Sequence, residues 1–175
     1  MKKTVISYSL TGNNDLLASS IASGISADHI RVTEEGVRNM GKIAFDMLFG
    51  RTPKVNLSSG IDNLGEDDFV IFVGPVWMGV TASPFRFCYK NLKKKISRYA
   101  FVSISGGADG PNPKLESELT KRMGRKPVQV IDLHIADLLP SDPRPTREDT
   151  SSFRLTGNDA HSLAGQIANS LNIPG

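Results

Sequence analysis

Strand-like apolar segments alternate along this chain with segments of helical periodicity. The segment Asp68–Gly74 is almost continuously apolar, as is typical of a strand that is buried on both faces. Four further segments rich in β-branched and aromatic residues occupy positions 4–8, 29–33, 99–105 and 128–133. Strands separated by helices at this spacing predict an α/β fold, in which helices cover both faces of a doubly wound, five-stranded parallel sheet.

The length and composition favour one globular domain. The chain has 175 residues, of which 39% are hydrophobic and 22% are charged, and its net charge is +3. We therefore expect a single domain over residues 1–175. The densest basic cluster, Lys93–Lys95, is interpreted as the solvated end of a helix. Nucleic-acid binding is not expected, because that function favours a wider basic face with interleaved aromatic residues.

The turn after the first strand is built from hydroxyls, amides and a single glycine. Its residues are Ser9, Leu10, Thr11, Gly12, Asn13 and Asn14. Gly12 allows the backbone to approach a ligand, and the N–H groups of the following helix point toward that ligand. The hydroxyl and amide side chains add further donors. Since the turn has neither the lysine of a P-loop nor three spaced glycines, it predicts a phosphomonoester site. An ordinary turn capped by Thr11 or Asn13 is the alternative.

Two more glycine-containing loops, at 74–81 and 105–111, follow the third and fourth strands. Ligands of open parallel sheets bind at the carboxyl ends of the strands, so all three loops are predicted to share one rim. Trp77 is the only tryptophan in the chain. Its indole could stack on a flat aromatic ligand or pack inward under the loop. Gly79 would let the backbone present a carbonyl or an N–H group to the edge of that ligand.

Together these loops resemble those of the flavodoxin-like family. The turn at 9–14 follows a strand that ends in tyrosine, and Pro75, Trp77 and Gly79 are similar to the family's second flavin loop. The resemblance covers nearly the whole chain and implies the strand order 2-1-3-4-5. It also implies FMN, with the phosphate at residues 9–14 and the isoalloxazine ring between residues 75–79 and 105–108. The implied cofactor-binding residues are Ser9, Leu10, Thr11, Gly12, Asn13, Asn14, Pro75, Val76, Trp77, Met78, Gly79, Ser105, Gly106, Gly107 and Ala108.

Departures from the family pattern favour an enzyme over an electron carrier. Asn14 stands where the family more often has a hydroxyl, and the third loop has no aromatic residue to cover the outer flavin face. The chain is also net positive, whereas electron-carrier flavodoxins are acidic. An open ring face would let a nicotinamide or a quinone stack at about 3–3.5 Å for hydride transfer.

We therefore expect an FMN-dependent oxidoreductase that passes electrons from NAD(P)H to a small acceptor such as a quinone. One alternative is a one-electron carrier that docks on a redox partner protein. The other is a flavin-free interaction module on the same scaffold, since fold does not settle function. No side chain is assigned as a catalytic acid or base, because the flavin would carry the chemistry. Tyr8 and Asp109 are weaker candidates at the rim.

The cysteine and the histidines carry no predicted chemistry. Cys88 is the only cysteine, so no intramolecular disulfide forms, and it is interpreted as a buried structural thiol. His29, His134 and His161 lie far apart and have no ligand spacing, so no metal site is predicted. The N-terminal residues do not resemble a signal peptide, and no apolar stretch is long enough for a membrane helix. A cytoplasmic protein is the resulting expectation.

Two segments fall outside the alternation of strands and helices. Met40–Phe49 has an amphipathic helical pattern within a helical insertion or crossover segment at 36–56. Its apolar residues cover more than one face, which favours a subunit contact in a homodimer or a cover over the active site. The segment 140–155 is rich in proline, charge and hydroxyls, and is predicted to be a surface loop.

Overall fold

The structure, a computed structural model, describes residues 1–35, 40–107 and 110–173. Its elements in chain order are β1 (Lys3–Ser7), α1 (Asn13–Gly24), β2 (Asp28–Glu34), α2 (Met40–Leu48), β3 (Val55–Leu57), β4 (Phe69–Val73), β5 (Val76–Trp77), β6 (Val80–Thr81), α3 (Phe85–Leu92), β7 (Arg98–Ser105), α4 (Leu115–Met123), β8 (Val130–His134), a 3-10 turn (Ile135–Leu138), α5 (Arg147–Ser152) and α6 (Gly157–Ser170).

The central sheet has six strands in the order β3-β2-β1-β4-β7-β8. Five neighbouring strands, β2, β1, β4, β7 and β8, are parallel to one another, whereas the edge strand β3 pairs with β2 in the antiparallel direction. The sheet differs from the predicted five strands in the order 2-1-3-4-5, because β3 adds a sixth, antiparallel strand at the edge beside β2. The five predicted strands are β1, β2, β4, β7 and β8, and the α/β class and the mainly parallel sheet are confirmed. The additional strand β3 is only three residues long and half-exposed, so its apolar pattern is too short to stand out in the sequence.

Both faces of the sheet are covered by helices. Along β4, Val70 and Phe72 point to one face and Ile71 and Val73 to the other, and all four are fully buried. Helices α3 and α4 pack on the first face, and α1 and α6 pack on the second. This double burial explains the continuous apolar run that marks β4 in the sequence. No helix among the described residues is long and apolar enough to cross a membrane.

Helix α2 and the residue after it leave several apolar side chains in solvent. Ile43 is buried, whereas Phe45, Leu48 and Phe49 are exposed. Residues 36–39, at the start of the segment 36–56, lie outside the described residues. The predicted amphipathic helix is confirmed over Met40–Leu48, and a role for its exposed side in a subunit contact stays a prediction.

Cys88 lies in α3 and is buried, as predicted. Burial raises the pKa of its thiol to about 12. The thiolate needed for nucleophilic or redox chemistry is therefore scarce at neutral pH, which agrees with a structural role.

Two buried asparagines tie the start of α1 to distant parts of the chain. The amide of Asn14 donates to the carbonyl of Ile104 (2.9 Å) and accepts from the N–H of Ile104 (3.0 Å), so it completes the backbone pairing at the end of β7. The amide of Asn13 donates to the carbonyl of Phe153 (3.1 Å) and accepts from the N–H of Leu155 (3.0 Å). Each side chain uses one donor and one acceptor on backbone groups that would otherwise need another partner.

A polar network joins β1, α1 and β2. The hydroxyl of Ser7 donates to Asp15 (3.0 Å) and lies 2.8 Å from Nε2 of His29. Arg31 donates from Nε to both oxygens of Asp15, at 2.9 and 3.1 Å. Burial lowers the pKa of His29, and the nearby charge of Arg31 lowers it further, while Asp15 acts in the opposite direction. The folded protein therefore favours neutral His29.

We expect Asn14→Ala to lower the free energy of unfolding by roughly 2–4 kcal/mol, because each buried backbone group that loses its partner costs about 1–3 kcal/mol. Urea denaturation followed by circular dichroism would measure the change. Asn169→Ala, at an exposed position of α6, is the matched control and should change stability little. An equal loss in both variants would contradict the role given to the Asn14 amide.

We expect the free energy of unfolding to fall as the pH drops below about 6.5, the ordinary pKa of histidine, because the unfolded chain then binds a proton at His29 that the folded chain resists. This loss should continue until the pH passes through the lowered pKa of the folded state. His29→Gln should make the dependence on pH shallower, whereas His161→Gln, at an exposed position, should not. Denaturation at a series of pH values tests this, and an unchanged dependence in His29→Gln would refute it.

Candidate functional site

The carboxyl ends of β1, β4 and β7 meet around a cavity of about 570 Å³. These three strands are neighbours in the sheet, and the chain reverses its direction of winding between β1 and β4, which is where ligands of open α/β sheets bind. The cavity is lined by Leu10, Thr11, Asn14, Pro75, Val76, Trp77, Met78, Gly79, Ile104, Ser105, Gly106, Gly107, Gly110, Asn112, Ile135, Arg147, Thr150 and Ser151. The structure thus brings all three predicted loops to one cavity.

Gly12, an exposed residue of the turn after β1, directly precedes α1. Gly12 has a φ of 96°, in the left-handed region, and a Cβ built on it would meet nothing within 4 Å. No side chain caps the helix at Gly12, so the first N–H groups of α1 have no partner from a capping side chain. Thr11 is exposed beside them. An uncapped helix start with a nearby hydroxyl suits an anion.

The two asparagines of this turn bind backbone groups of the protein. Each amide donates one hydrogen bond and accepts one, with partners on Phe153, Leu155 and Ile104, and donation by Asn13 and Asn14 to a phosphate stays a prediction. Asn14 still lines the cavity, whereas Asn13 does not. Their buried amides position the turn. The backbone N–H groups at the start of α1 and the Thr11 hydroxyl are further candidate donors to an anion there.

Ser9 and Gly12 also lie in the turn without lining the cavity. The N–H of Gly12 donates to Oγ of Ser9 (3.0 Å), so the Ser9 hydroxyl holds the turn closed on itself. The acidic residue of the first helical turn, Asp15, is bound by Ser7 and Arg31. The positive charge of Arg31 in β2 therefore balances the negative charge of Asp15.

The loop after β4 is a tight hairpin rather than an irregular loop. Val76 pairs with Thr81 and Trp77 pairs with Val80, which leaves Met78 and Gly79 as the two turn residues. Their φ angles are 53° and 80°, as a two-residue type I′ turn requires. Met78 is 81% exposed at the tip and lines the mouth of the cavity.

Trp77 is half-buried and is packed against the protein. Its ring packs edge-on against Tyr8, with the centroids 5.7 Å apart and the planes at 88°. The hydroxyl of Tyr8 in turn donates to Glu34 (2.7 Å). Trp77 also lines the cavity, and its stacking on a flat ligand stays a prediction.

The loop after β7 brings backbone close to two neighbouring elements. A Cβ on Gly106 would lie 3.0 Å from Oγ1 of Thr150, and one on Gly107 would lie 2.3 Å from Cβ of His134. Ser105, Gly106 and Gly107 line the cavity. Ala108 and Asp109, also named from the sequence, lie outside the described residues.

His134 closes β8 behind this loop. Its Nε2 lies 3.2 Å from Oδ2 of Asp132, which also accepts from the amide of Asn112 (2.9 Å). Among the described residues, no group of three or more histidines, cysteines and acids is arranged to hold a metal ion.

Sequence reasoning missed one wall of the cavity. The segment 140–155, predicted to be a surface loop, contains the helix α5 (Arg147–Ser152). Arg147, Thr150 and Ser151 of this helix line the cavity, and Arg147 is the only charged residue among the described lining residues. The signal that could have found α5 is its capping box, in which Thr146 and Asp149 bond each other's backbone N–H groups.

The cavity therefore has two chemically different parts. The part nearer α1 offers a helix start without a side-chain cap and the Thr11 hydroxyl, and Arg147 is the single cation among the described lining residues. The part formed by residues 75–79 and 104–107 is mostly apolar or backbone, with one indole. An anionic tail joined to a flat, largely apolar ring system matches this division.

No protein-family model matches this chain, and no curated protein sequence matches it. Solved structures do. A flavoprotein from Lactobacillus acidophilus NCFM, crystallised in complex with FMN, is 25% identical; the match covers 75% of this chain and 92% of that one, with a TM-score of 0.64. The NMR structure of the apo form of the flavoprotein from Lactobacillus acidophilus NCFM is 20% identical, covering 78% of this chain and 94% of that one, with a TM-score of 0.57.

A structure from Bacteroides eggerthii DSM 20697 matches over a greater length. It is 16% identical, covers 95% of this chain and 98% of its own, and has a TM-score of 0.65. Because the match covers nearly the full length of both chains, the two structures share the order of their helices and strands as well as the loops at one edge of the sheet. The described chain thus has a flavodoxin-like fold.

Proposed function

We propose that this protein binds FMN in the cavity at the carboxyl end of its sheet and works as a redox protein. The observation that carries the proposal is that an uncapped helix start, a hydroxyl and a half-buried indole line one cavity of about 570 Å³. That volume is within the range of about 300–1,000 Å³ that is typical of small-molecule sites. The similar Lactobacillus flavoprotein was crystallised with FMN, which supports the choice of ligand.

The residues present fit the parts of FMN. The N–H groups at the start of α1 and the hydroxyl of Thr11 would hold the phosphate, and the positive end of the helix dipole favours its charge. Trp77, already packed on Tyr8, would stack against the isoalloxazine ring. The backbone of Gly79 and of Gly106–Gly107 would face the polar edges of the ring.

When bound, FMN supplies the ability to accept and release one or two electrons. The protein's own residues bind and orient it. The turn after β1, held by the Asn14 amide, would fix the phosphate end, and the hairpin that carries Trp77 would cover one face of the ring. We further propose that NAD(P)H donates electrons and a small acceptor such as a quinone receives them. This is supported by the fact that Trp77 is the only aromatic residue among the described lining residues, which leaves room for a second ring to stack.

Addition of FMN should quench the fluorescence of Trp77, the only tryptophan in the chain, at micromolar concentrations. Thr11→Ala should weaken this binding by roughly 1–3 kcal/mol, because a hydrogen bond to a charged phosphate oxygen is lost. Fluorescence titration of both proteins measures the two dissociation constants.

Thr120→Ala provides the matched control for that titration. The Thr120 hydroxyl donates to the carbonyl of Glu116 within α4 and does not line the cavity. Its removal should leave the affinity for FMN unchanged. Quenching that does not saturate in the wild-type protein would refute FMN binding, and equal affinities in wild type and Thr11→Ala would refute the phosphate position.

NADPH or NADH, added anaerobically to the FMN-loaded protein, should bleach the visible absorbance of the flavin within seconds to minutes. A quinone added afterwards should restore it. If neither nucleotide bleaches the flavin while a chemical reductant does, the protein is an electron carrier and the proposed donor is wrong. Stopped-flow or conventional absorbance spectroscopy distinguishes these results.

A further inference from the structure

A second cavity, of about 540 Å³, opens between α3 and α4 beside residues 50–52. It is lined by Gly50, Thr52, Arg86, Tyr89, Lys90, Lys93, Glu118, Lys121 and Arg122. It shares no described lining residue with the cavity at the carboxyl end of the sheet. The fold and the proposed flavin site give this cavity no role.

The second cavity has a strongly positive lining. Five of its side chains are cationic, and Glu118 is its only acid among the described residues. Both oxygens of Glu118 are already engaged, because Arg122 donates to Oε1 and the hydroxyl of Thr81 donates to Oε2 (3.3 Å). Cations concentrated around a concave surface raise the local concentration of anions.

Two of the cations are held in place by the fold. Arg86 is only 8% exposed, and its Nη1 donates to the carbonyls of Asp46 and Arg51, which ties α3 to the end of α2. Burial lowers the pKa of Arg122, and the like charge of Arg86 lowers it further. An anion bound between these two guanidinium groups would offset their repulsion.

A buried tyrosine whose hydroxyl has no hydrogen-bond partner in the described part of the chain also belongs to the wall of the cavity. Tyr89 lines the cavity and is 2% exposed, and its Oη has no hydrogen-bond partner among the described residues. The hydroxyl of Thr81 lies close to it but donates to Glu118. Buried polar atoms are generally paired in native proteins, so an unpaired phenol at a cavity wall indicates that a ligand oxygen completes the site.

We propose that this second cavity binds a small molecule that carries adjacent phosphoryl groups, such as a diphosphate. Guanidinium groups match the geometry of phosphoryl oxygens, and lysines at Lys90, Lys93 and Lys121 extend the positive lining beyond the reach of one phosphate. The Tyr89 hydroxyl donates to a bridging or terminal oxygen. The site is independent of FMN, since the two cavities have separate linings.

Isothermal titration calorimetry of the full chain with inorganic pyrophosphate tests the proposal, in the absence and in the presence of excess FMN. Saturable one-to-one binding should occur in both cases. The double variant Lys90→Gln with Lys121→Gln should weaken it by about tenfold or more, because charge-assisted contacts are lost. The matched control, Lys94→Gln with Lys126→Gln, removes the same charge from exposed positions outside the lining and should change the affinity by less than about threefold.

Tyr89→Phe keeps the buried ring and removes only the hydroxyl, so it should also weaken pyrophosphate binding while the fold is retained. ADP that binds as tightly as pyrophosphate or tighter would support the site and identify its ligand as a nucleotide. Pyrophosphate binding that ADP does not match would support an inorganic or differently substituted diphosphate.

Three results would overturn the proposal. One is the absence of saturable pyrophosphate binding to the wild-type protein. The second is an equal loss of affinity in the two double variants, which would reduce the effect to general surface charge. The third is tighter binding of a single-stranded oligonucleotide with the same sensitivity to Lys90 and Lys121, which would make the surface a nucleic-acid site. The affinity for FMN should be unchanged in Lys90→Gln with Lys121→Gln, so failure of this proposal is separable from failure of the flavin proposal.

Discussion

Two buried amides, those of Asn13 and Asn14, fix the relative positions of the elements around the cavity at the carboxyl end of the sheet. Asn14 joins the turn after β1 to the last residues of β7, two strands away in the sheet. Asn13 joins the same turn to the chain just beyond α5. The first loop, the third loop and the helical wall are thus connected through one pair of adjacent side chains. The cavity keeps its shape because buried amides with satisfied donors and acceptors resist displacement.

The general architecture could be predicted from the sequence because it rests on long, repeated patterns. The continuous apolar run of β4 and the alternation of strands with helices each extend over many residues. Shorter elements escaped prediction for the opposite reason. Strand β3 has three residues, and its pairing with β2 depends on a partner that lies far away in sequence. The hairpin of β5 and β6 has two residues in each strand and was seen only as a glycine-containing loop.

The three loops of the candidate site could be placed at one rim, but the use of individual side chains could not be predicted. An exposed asparagine and a buried one cannot be told apart in a sequence, so the backbone partners of Asn13 and Asn14 could not be predicted. Arg147 was overlooked because proline and charge around it suggested solvent, whereas the fold of α5 turns it toward the cavity. The flavodoxin-like resemblance supplied the ligand chemistry that neither spacing nor composition specifies.

The hairpin tip illustrates how stability and recognition can oppose each other at a rim. Met78 adopts a left-handed backbone conformation, which costs a residue with a side chain on the order of 1–3 kcal/mol relative to glycine. The position places a flexible, polarisable thioether in solvent, where it lies at the mouth of the cavity and packs on little. A sequence optimised for the fold alone would favour asparagine or glycine here. The turn geometry thus does not account for methionine at the tip, which leaves a flexible apolar side chain exposed beside the cavity.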